Sequence, residues 1–246
     1  AVDHRGHDLA VARGGLLADH HVVAVADRRV HRRLAGHREQ EELAVVSEEM
    51  GGALLCSPYL SAAVLTPYLL LALGDTAECA EALPSIAAGE LIAAVAFAEA
   101  GDARPPHHPA TVATDHGGGG WMLTGEKTYV LGATAAQRFY VTPPCRSGLG
   151  IFAVDRGPSG LSVSALTTVD QTRKQGRLTL AETPGRLIGA VGAGSAALAA
   201  ALHRCAVALI AEQAGGAMHA MQMAADYART RFQFGRAIGS FQAVKH

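Results

Sequence analysis

The apolar residues of this chain change their period twice, and that change limits the folds open to it more than any other feature. From about Glu39 the stretch "EQEELAVVSEEMGGALLCSPYL" opens on acidic residues suited to a helix N-terminus, then carries apolar residues at helical spacing to a pause at Gly51 and Gly52. A second helical region, "TAECAEALPSIAAGELIAAVAFAEAGD", is punctuated by Pro84 and ends a turn at Gly89. Residues 40–93 therefore read as helical hairpins. Between Ala94 and about Ile188 the pattern shifts to short alternating runs such as "ATVAT", "KTYVLGA", "RFYVTP" and "GRLTLAE", separated by Gly, Pro and Asp clusters. That is how an antiparallel barrel or sandwich is written. Within it, "DHGGGGWMLTGEKTYVL" reads as a hairpin with Gly117 to Gly120 in the loop. The run from Ala196 to Arg231 then has no proline and is dense in Ala, Leu and Met, which predicts a long helix softened at Gly215 and Gly216 and ending at Gly235.

The expected fold class is thus α+β and multidomain. It comprises an N-terminal helical domain (1–93, with 1–40 atypical), a middle antiparallel β domain, β-barrel or sandwich (94–193), and the first helices of a C-terminal helical domain (194–246).

Bulk properties narrow the function. With 246 residues, a net charge of -1, 17% charged and 49% hydrophobic residues, the chain is long enough for a substantial core and has no global attraction for nucleic acid or an anionic membrane. A small-molecule or protein partner fits better. Cys56, Cys79, Cys145 and Cys205 are scattered without a C-x-x-C, which argues against a zinc site or a disulfide framework and for a reducing, cytoplasmic setting. Residues 53–73 carry no charge over about the length that spans a bilayer. Pro58, Pro67 and two tyrosines favour a buried helix pair there over a membrane span. No signal peptide is legible at the start. The first forty residues hold six of the twelve histidines without a clean period. His20 and His21 beside Asp19 pose a metal reading against a solvated segment of biased composition, and the second is preferred.

The landmarks "EEMGGAL", "LPSIAAGE", "AFAEAGD", "GEKTYVLGA", "DQTRKQ", "AEQAGGA" and "YARTRFQFGRAIGSFQAVKH" follow one another in an order and spacing that resemble the acyl-CoA dehydrogenase family over residues 40–246. The last is the most specific, being similar to the family's R-x-Q-F-G followed by I-x-x-F-Q. The first forty residues lack the Pro-Glu-x-x-Gly-Gly loop of the family.

The resemblance implies α,β-dehydrogenation of an acyl-CoA thioester with FAD as hydride acceptor. It also implies an oligomer, a dimer or tetramer, homomeric or heteromeric, with FAD sites shared between subunits and an electron-accepting flavoprotein or other acceptor as a further partner. By the same resemblance Phe97 and Ala98 lie on the flavin side, although Ala98 stands where the family usually has Thr. Tyr129, Val130 and Leu131 correspond to the strand against the flavin, with Leu131 in place of a further Thr; an ordinary barrel strand is the competing reading. Arg231 is expected to face the pyrophosphate of a partner subunit's FAD, Gln233 to lie near it, Phe234 to pack on the cofactor and Gln242 to serve the adenosine end. A guanidinium suits phosphate because its donors form a planar fork. The competing reading is a basic helix end capped at Gly235. Arg204's neighbour Cys205 occupies the position where a minority of the family carries its carboxylate base. Most of the family places that base well beyond R-x-Q-F-G, so no catalytic residue is assigned. Arg104, His107 and His108 read as a proline-stiffened surface loop, and Glu99 and Glu212 as structural. A catalytically silent subunit of a heteromer and a non-functional remnant stand as alternatives to the enzyme.

Overall fold

The computed structural model describes residues 37–101, 110–145, 148–157 and 160–245. His4, His7, His20, His21 and His31, the Asp19–His21 metal reading among them, and Arg104, His107 and His108 lie outside the described residues. In chain order the helices are α1 (His37–Gly52), a π-helix (Leu60–Leu65) continuing into α2 (Thr66–Leu73), α3 (Thr76–Ala87), α4 (Gly194–Thr230) and α5 (Gln242–Lys245). The strands are β1 (Ala93–Ala96), β2 (Val112–Asp115), β3 (Trp121–Leu131), β4 (Arg138–Val141), β5 (Pro144–Cys145), β6 (Gly148–Leu149), β7 (Phe152–Asp155), β8 (Leu161–Ala165), β9 (Gln175–Leu187), β10 (Phe232–Gln233) and β11 (Arg236–Ala237). Two compact units result, one of residues Cys56–Ala206 and one combining His37–Leu55 with Val207–His246.

The first unit is built on a seven-stranded sheet in the order β1-β4-β7-β9-β3-β2, with β8 also pairing β9. Among the described strand pairs only β1–β4 is parallel. β9 explains the curl. It runs alongside β3 and β8 and then, at Arg186 and Leu187, alongside β7, so one strand belongs to two ladders. The sheet bends far enough that the Thr128 N–H of β3 donates to the carbonyl of Ala98, just past β1, at 2.9 Å.

Alternation along the strands sorts their side chains into two cores. Ala93, Val95, Tyr140 and Ala153 face a layer that includes Leu65, Leu69, Leu70, Ile86 and Leu198 of the helices. Ala94, Ala96, Phe139, Val141, Phe152 and Val154 point the other way, against Leu123, Val130, Leu178 and Leu180. β1 is buried on both faces, which is why its sequence is an unbroken apolar "AAVA".

The uncharged stretch 53–73 forms no single span-length helix. Its helical part is confined to the π-helix and α2, where Val64, Leu65, Leu69 and Leu70 are buried, and Gly74 closes α2 in the left-handed region at φ 70°. Among the described helices α4 is long and apolar enough to cross a membrane by length and composition, a test that a core helix of a soluble protein also passes.

α3 starts at Asp75, whose carboxylate accepts from the Ala77 and Glu78 N–H groups and, from its other oxygen, from Gly189 N–H at 3.0 Å. Its Pro84 lies inside the helix rather than ending it. The missing N–H costs one helical bond, and burial of Ala82 and Ile86 on either side offsets the loss. Glu78 is fully buried and holds the helix to the sheet: it accepts from Tyr140 Oη, from Arg186 Nη2 at 2.6 Å and from Arg138 Nη1 at 3.2 Å. A carboxylate taken out of water persists only when paired in this way.

In the second unit α1 meets the later part of α4 through glycines. A Cβ on Gly51 would stand 1.8 Å from the Glu212 carbonyl oxygen, and one on Gly215 would stand 1.8 Å from that of Glu48. The glycine pairs that read as a pause and a softening in the sequence are therefore points where two helix backbones touch. α4 ends at Thr230, earlier than the sequence pattern predicts. Gly235 is no helix cap. Phe232 pairs with Ala237 and Gln233 with Arg236, leaving Phe234 and Gly235 as a two-residue turn with φ of 52° and 79°. Positive φ at both central positions is the hairpin turn whose twist suits the flanking strands, so the conformational freedom of Gly235 serves a reversal of direction.

Candidate functional site

The sheet unit carries one group of candidate residues. β1 leads into Phe97, half-buried, and Ala98, buried. On β3 a bulge interrupts the ladder to β9: Lys127 opposes Leu178 and the next registered residue is Val130, opposite Gly176. Thr128 and Tyr129 fall between. Thr128 turns its N–H to Ala98, which brings the Phe97–Ala98 segment beside the Tyr129–Leu131 segment. Tyr129 takes φ 55° and leaves its ring 44% exposed, while Val130 points into the sheet core. Leu131 is half-buried and lines, with Cys56, Pro58, Ser61, Thr172 and Lys174, a cavity of about 100 Å³. Neither Ala98 nor Leu131 brings a hydroxyl to this face.

Beneath it lies a feature that the sequence did not announce. Lys127 is fully buried and its Nζ donates to Glu99 Oε1 at 2.7 Å and to the Thr142 carbonyl at 3.0 Å. Glu99 also accepts from Ala110 N–H at 2.6 Å, Thr111 N–H at 3.1 Å and Thr111 Oγ1 at 2.7 Å. Burial works against its charge, but these bonds, that from Lys127 foremost, outweigh burial and hold the carboxyl below the usual carboxylate range. Burial also draws Lys127 below the usual lysine range, with Glu99 opposing that shift. Glu99 is thus committed to structural bonds. The signal available in the sequence was a glutamate in "AFAEAGD" and a lysine in "GEKTYVL", with nothing local to join them.

The second unit carries the other candidates. Of the arginines around the hairpin, Arg229 pairs with Asp226 at 2.7 Å, and Arg236 lies over the Phe241 ring, 4.0 Å from its centroid. Arg231 has no ion pair among the described residues and is exposed. Phe234 sits at the tip of the turn, 92% exposed, with its ring edge-on to Phe241 at 6.2 Å. Gln233 and Gln242 are also exposed. The hairpin thus presents an aromatic ring, two amides and an available guanidinium to solvent, a set suited to a ligand with both an anionic and a flat aromatic part.

These residues fit a flavin dinucleotide in kind. Tyr129 in the sheet unit and, separately, Phe234 and Arg231 in the hairpin are exposed side chains of the kinds that flat rings and phosphates engage. The fit lacks side-chain hydroxyls at Ala98 and Leu131, leaving backbone groups there. Among the described residues no three His, Cys, Asp or Glu side chains cluster as a metal site.

The family model described as acyl-CoA dehydrogenase, C-terminal domain, matches residues 192–246. Acyl-CoA dehydrogenase FadE27 of Mycobacterium tuberculosis is 33% identical over 220 residues, covering 83% of this chain and 52% of the relative. A solved structure of the ChsE4-ChsE5 complex from Mycobacterium tuberculosis is similar at 31% identity with a TM-score of 0.71, over 84% of this chain and 54% of that one. Glutaryl-coenzyme A dehydrogenase in complex with glutaryl-CoA shares the fold at 22% identity, with a TM-score of 0.80 over 95% of this chain and 61% of that one. The chain spans about half the length of the relatives it matches.

Proposed function

The chain belongs to the acyl-CoA dehydrogenase family, and from that premise we propose that it is the flavin-holding part of an enzyme that introduces an α,β double bond into an acyl-CoA thioester. In this reading Phe97, Tyr129 and Leu131 of one subunit, with the backbone of the buried Ala98 and Val130, form the wall against the ring system of FAD, and Arg231, Gln233, Phe234 and Gln242 of another subunit hold its pyrophosphate and adenosine parts. The supporting observation is conformational. Among the described residues four non-glycine positions have positive φ, and two of them are Tyr129 and Phe234, both exposed aromatics. The hairpin turn accounts for the positive φ at Phe234; at Tyr129, strain of this kind persists where the surrounding structure enforces it and concentrates at ligand sites.

FAD, when bound, supplies the acceptor for the hydride leaving the β-carbon. The residues of this chain have simpler tasks. Tyr129 covers one edge of a flat apolar ligand and excludes water from it. Arg231 would hold phosphate oxygens through its guanidinium donors. The backbone at Phe97 and Ala98 offers polar groups held in place by the Thr128 bond. The α-proton needs a base, and none is assigned: Glu78 and Glu99, the buried carboxylates of the sheet unit, are each held by cationic side chains. An electron-accepting flavoprotein or another acceptor and a cytoplasmic setting complete the reading.

A second reading is favoured by one observation. Two positions that usually carry hydroxyls are Ala98 and Leu131, so a catalytically silent subunit of a heteromer fits them better than a self-sufficient enzyme.

The test is the visible absorption spectrum of the purified chain with its molar mass taken on the same sample. The flavin reading expects a flavin band at about one FAD per chain in a dimer or larger assembly. A colourless, folded sample would overturn independent FAD binding and leave the partner-dependent subunit.

A further inference from the structure

We propose that the buried Lys127–Glu99 pair is a positioning brace that sets the height and angle of Tyr129 relative to the Phe97–Ala98 backbone. The proposal rests on the FAD reading above and names the residues that give its sheet-side wall its shape.

The argument starts from the bulge. Residues of a regular strand are placed by their ladder, but Thr128 and Tyr129 are outside the register with β9. Their placement must come from other contacts. One is the Thr128 N–H bond to Ala98. The other is Lys127, the last registered residue before the bulge, whose Nζ reaches Glu99 at 2.7 Å, Thr142 O at 3.0 Å and, at 3.5 Å, Phe97 O. All three donors of the ammonium therefore point at fixed groups, two of them on the segment that Tyr129 must face. Glu99 in turn is anchored from the far side by Ala110 and Thr111. Four stretches of chain, around residues 98, 111, 127 and 142, meet at one ion pair.

An ion pair is a poor choice for stability alone. Two charges removed from water are often no better than well-packed apolar residues of the same volume, whereas a pair with saturated hydrogen bonds defines one geometry. Because the carboxylate neutralises the ammonium within 2.7 Å, the effect on a ligand at Tyr129 is geometric rather than a long-range field. Lys127 and Glu99 act through Tyr129 and the Phe97–Ala98 backbone and touch no reacting atom.

The experiment uses the full chain. Glu99→Asp keeps both charges and shortens the brace by one methylene; Lys127→Met removes the brace and leaves Glu99 its bonds to Ala110 and Thr111. FAD affinity is measured by titration into the apoprotein, the visible circular dichroism of the bound flavin is recorded, and far-UV circular dichroism monitors the fold. The expected result for Glu99→Asp is a wild-type fold, FAD bound about tenfold more weakly, on the order of one lost hydrogen bond, and an altered visible dichroism. A purely structural pair would lower the melting temperature but leave the bound flavin's dichroism unchanged, and that result in a folded variant overturns the brace. If Lys127→Met does not fold, Glu99→Asp alone decides. A folded wild type that takes up no FAD refutes the flavin reading and the brace with it; a loaded wild type with an indistinguishable Glu99→Asp refutes the brace only.

Discussion

Substituting Gly51 by alanine sets two opposing effects against each other, and the geometry decides between them. In a helix interior alanine is favoured over glycine by about 1 kcal/mol, an upper bound for Gly51 and Gly52 in the last turn of α1. The added methyl, however, would stand 1.8 Å from the Glu212 carbonyl oxygen, where real contacts do not come closer than 3.0 Å. The obstacle is backbone, so no side chain can rotate away, and the helices must part by more than an ångström. A gap of that size forfeits a quarter to a half of each van der Waals contact across the crossing, and overpacking of this kind costs about 1–3 kcal/mol. Gly51→Ala is therefore expected to be destabilising by up to about 2 kcal/mol net of the propensity gain. Gly52→Ala is the internal control. Its methyl would meet the Gly215 oxygen at 3.8 Å, an ordinary contact, so propensity prevails and stability holds or rises by up to about 1 kcal/mol. Gly215→Ala, whose methyl meets the Glu48 oxygen at 1.8 Å, should resemble Gly51→Ala. The double variant should cost less than the two singles together, because helices already parted by the first methyl accommodate the second. Urea unfolding followed by far-UV circular dichroism measures all four. Equal stabilisation by Gly51→Ala and Gly52→Ala would refute the close crossing.

Other outcomes follow from single sites. Asp75→Ala removes the N-cap of α3 and its tie to Gly189, and should cost about 1–2 kcal/mol, read as a melting temperature lower by about 2–8 °C; no change would mean the cap is not formed. The bond from Gly189 N–H, followed by that from Glu78 N–H, holds the Asp75 carboxyl below its usual range, and the bonds to Glu99 do the same there. Both groups bind protons more weakly when folded, so their stabilisation is present above the unfolded carboxylate value of about 4 and is lost as pH falls through the folded values. A melting temperature flat from neutral pH down to about 3 would contradict this. Phe234→Gly relieves a non-glycine residue at φ 52°, which should leave stability equal or raise it by about 1 kcal/mol, while FAD titration should show weaker binding; unchanged binding would remove Phe234 from the cofactor site.

What the sequence determined by itself was local. Period-2 alternation in "RFYVT" and "GIFAVD" is enough to place Phe139, Val141, Phe152 and Val154 on one side of the sheet and Tyr140 and Ala153 on the other. Four successive glycines mark the β2–β3 connection because only a tight turn requires Gly117, Gly118 and Gly119 all at positive φ. A proline-free run of good helix formers sufficed for α4. Such features are decided within a few residues, where backbone sterics and burial periodicity act.

What only the tertiary structure decided involves groups distant along the chain. Glu99 and Lys127 are separated by 28 positions, Glu78 and Tyr140 by 62, Glu78 and Arg186 by 108. None of these residues carries a local sign of its partner, since a charge states its cost of burial but not where the opposite charge will be found. The same holds for glycine. Gly51 and Gly215 each read as weak points of a helix until the other backbone arrives within reach, and Gly235 reads equally as helix cap or turn until Gln233 pairs with Arg236. Local sequence sets which conformations are cheap, and long-range packing selects among them because only the assembled core makes a buried ion pair or a backbone contact favourable.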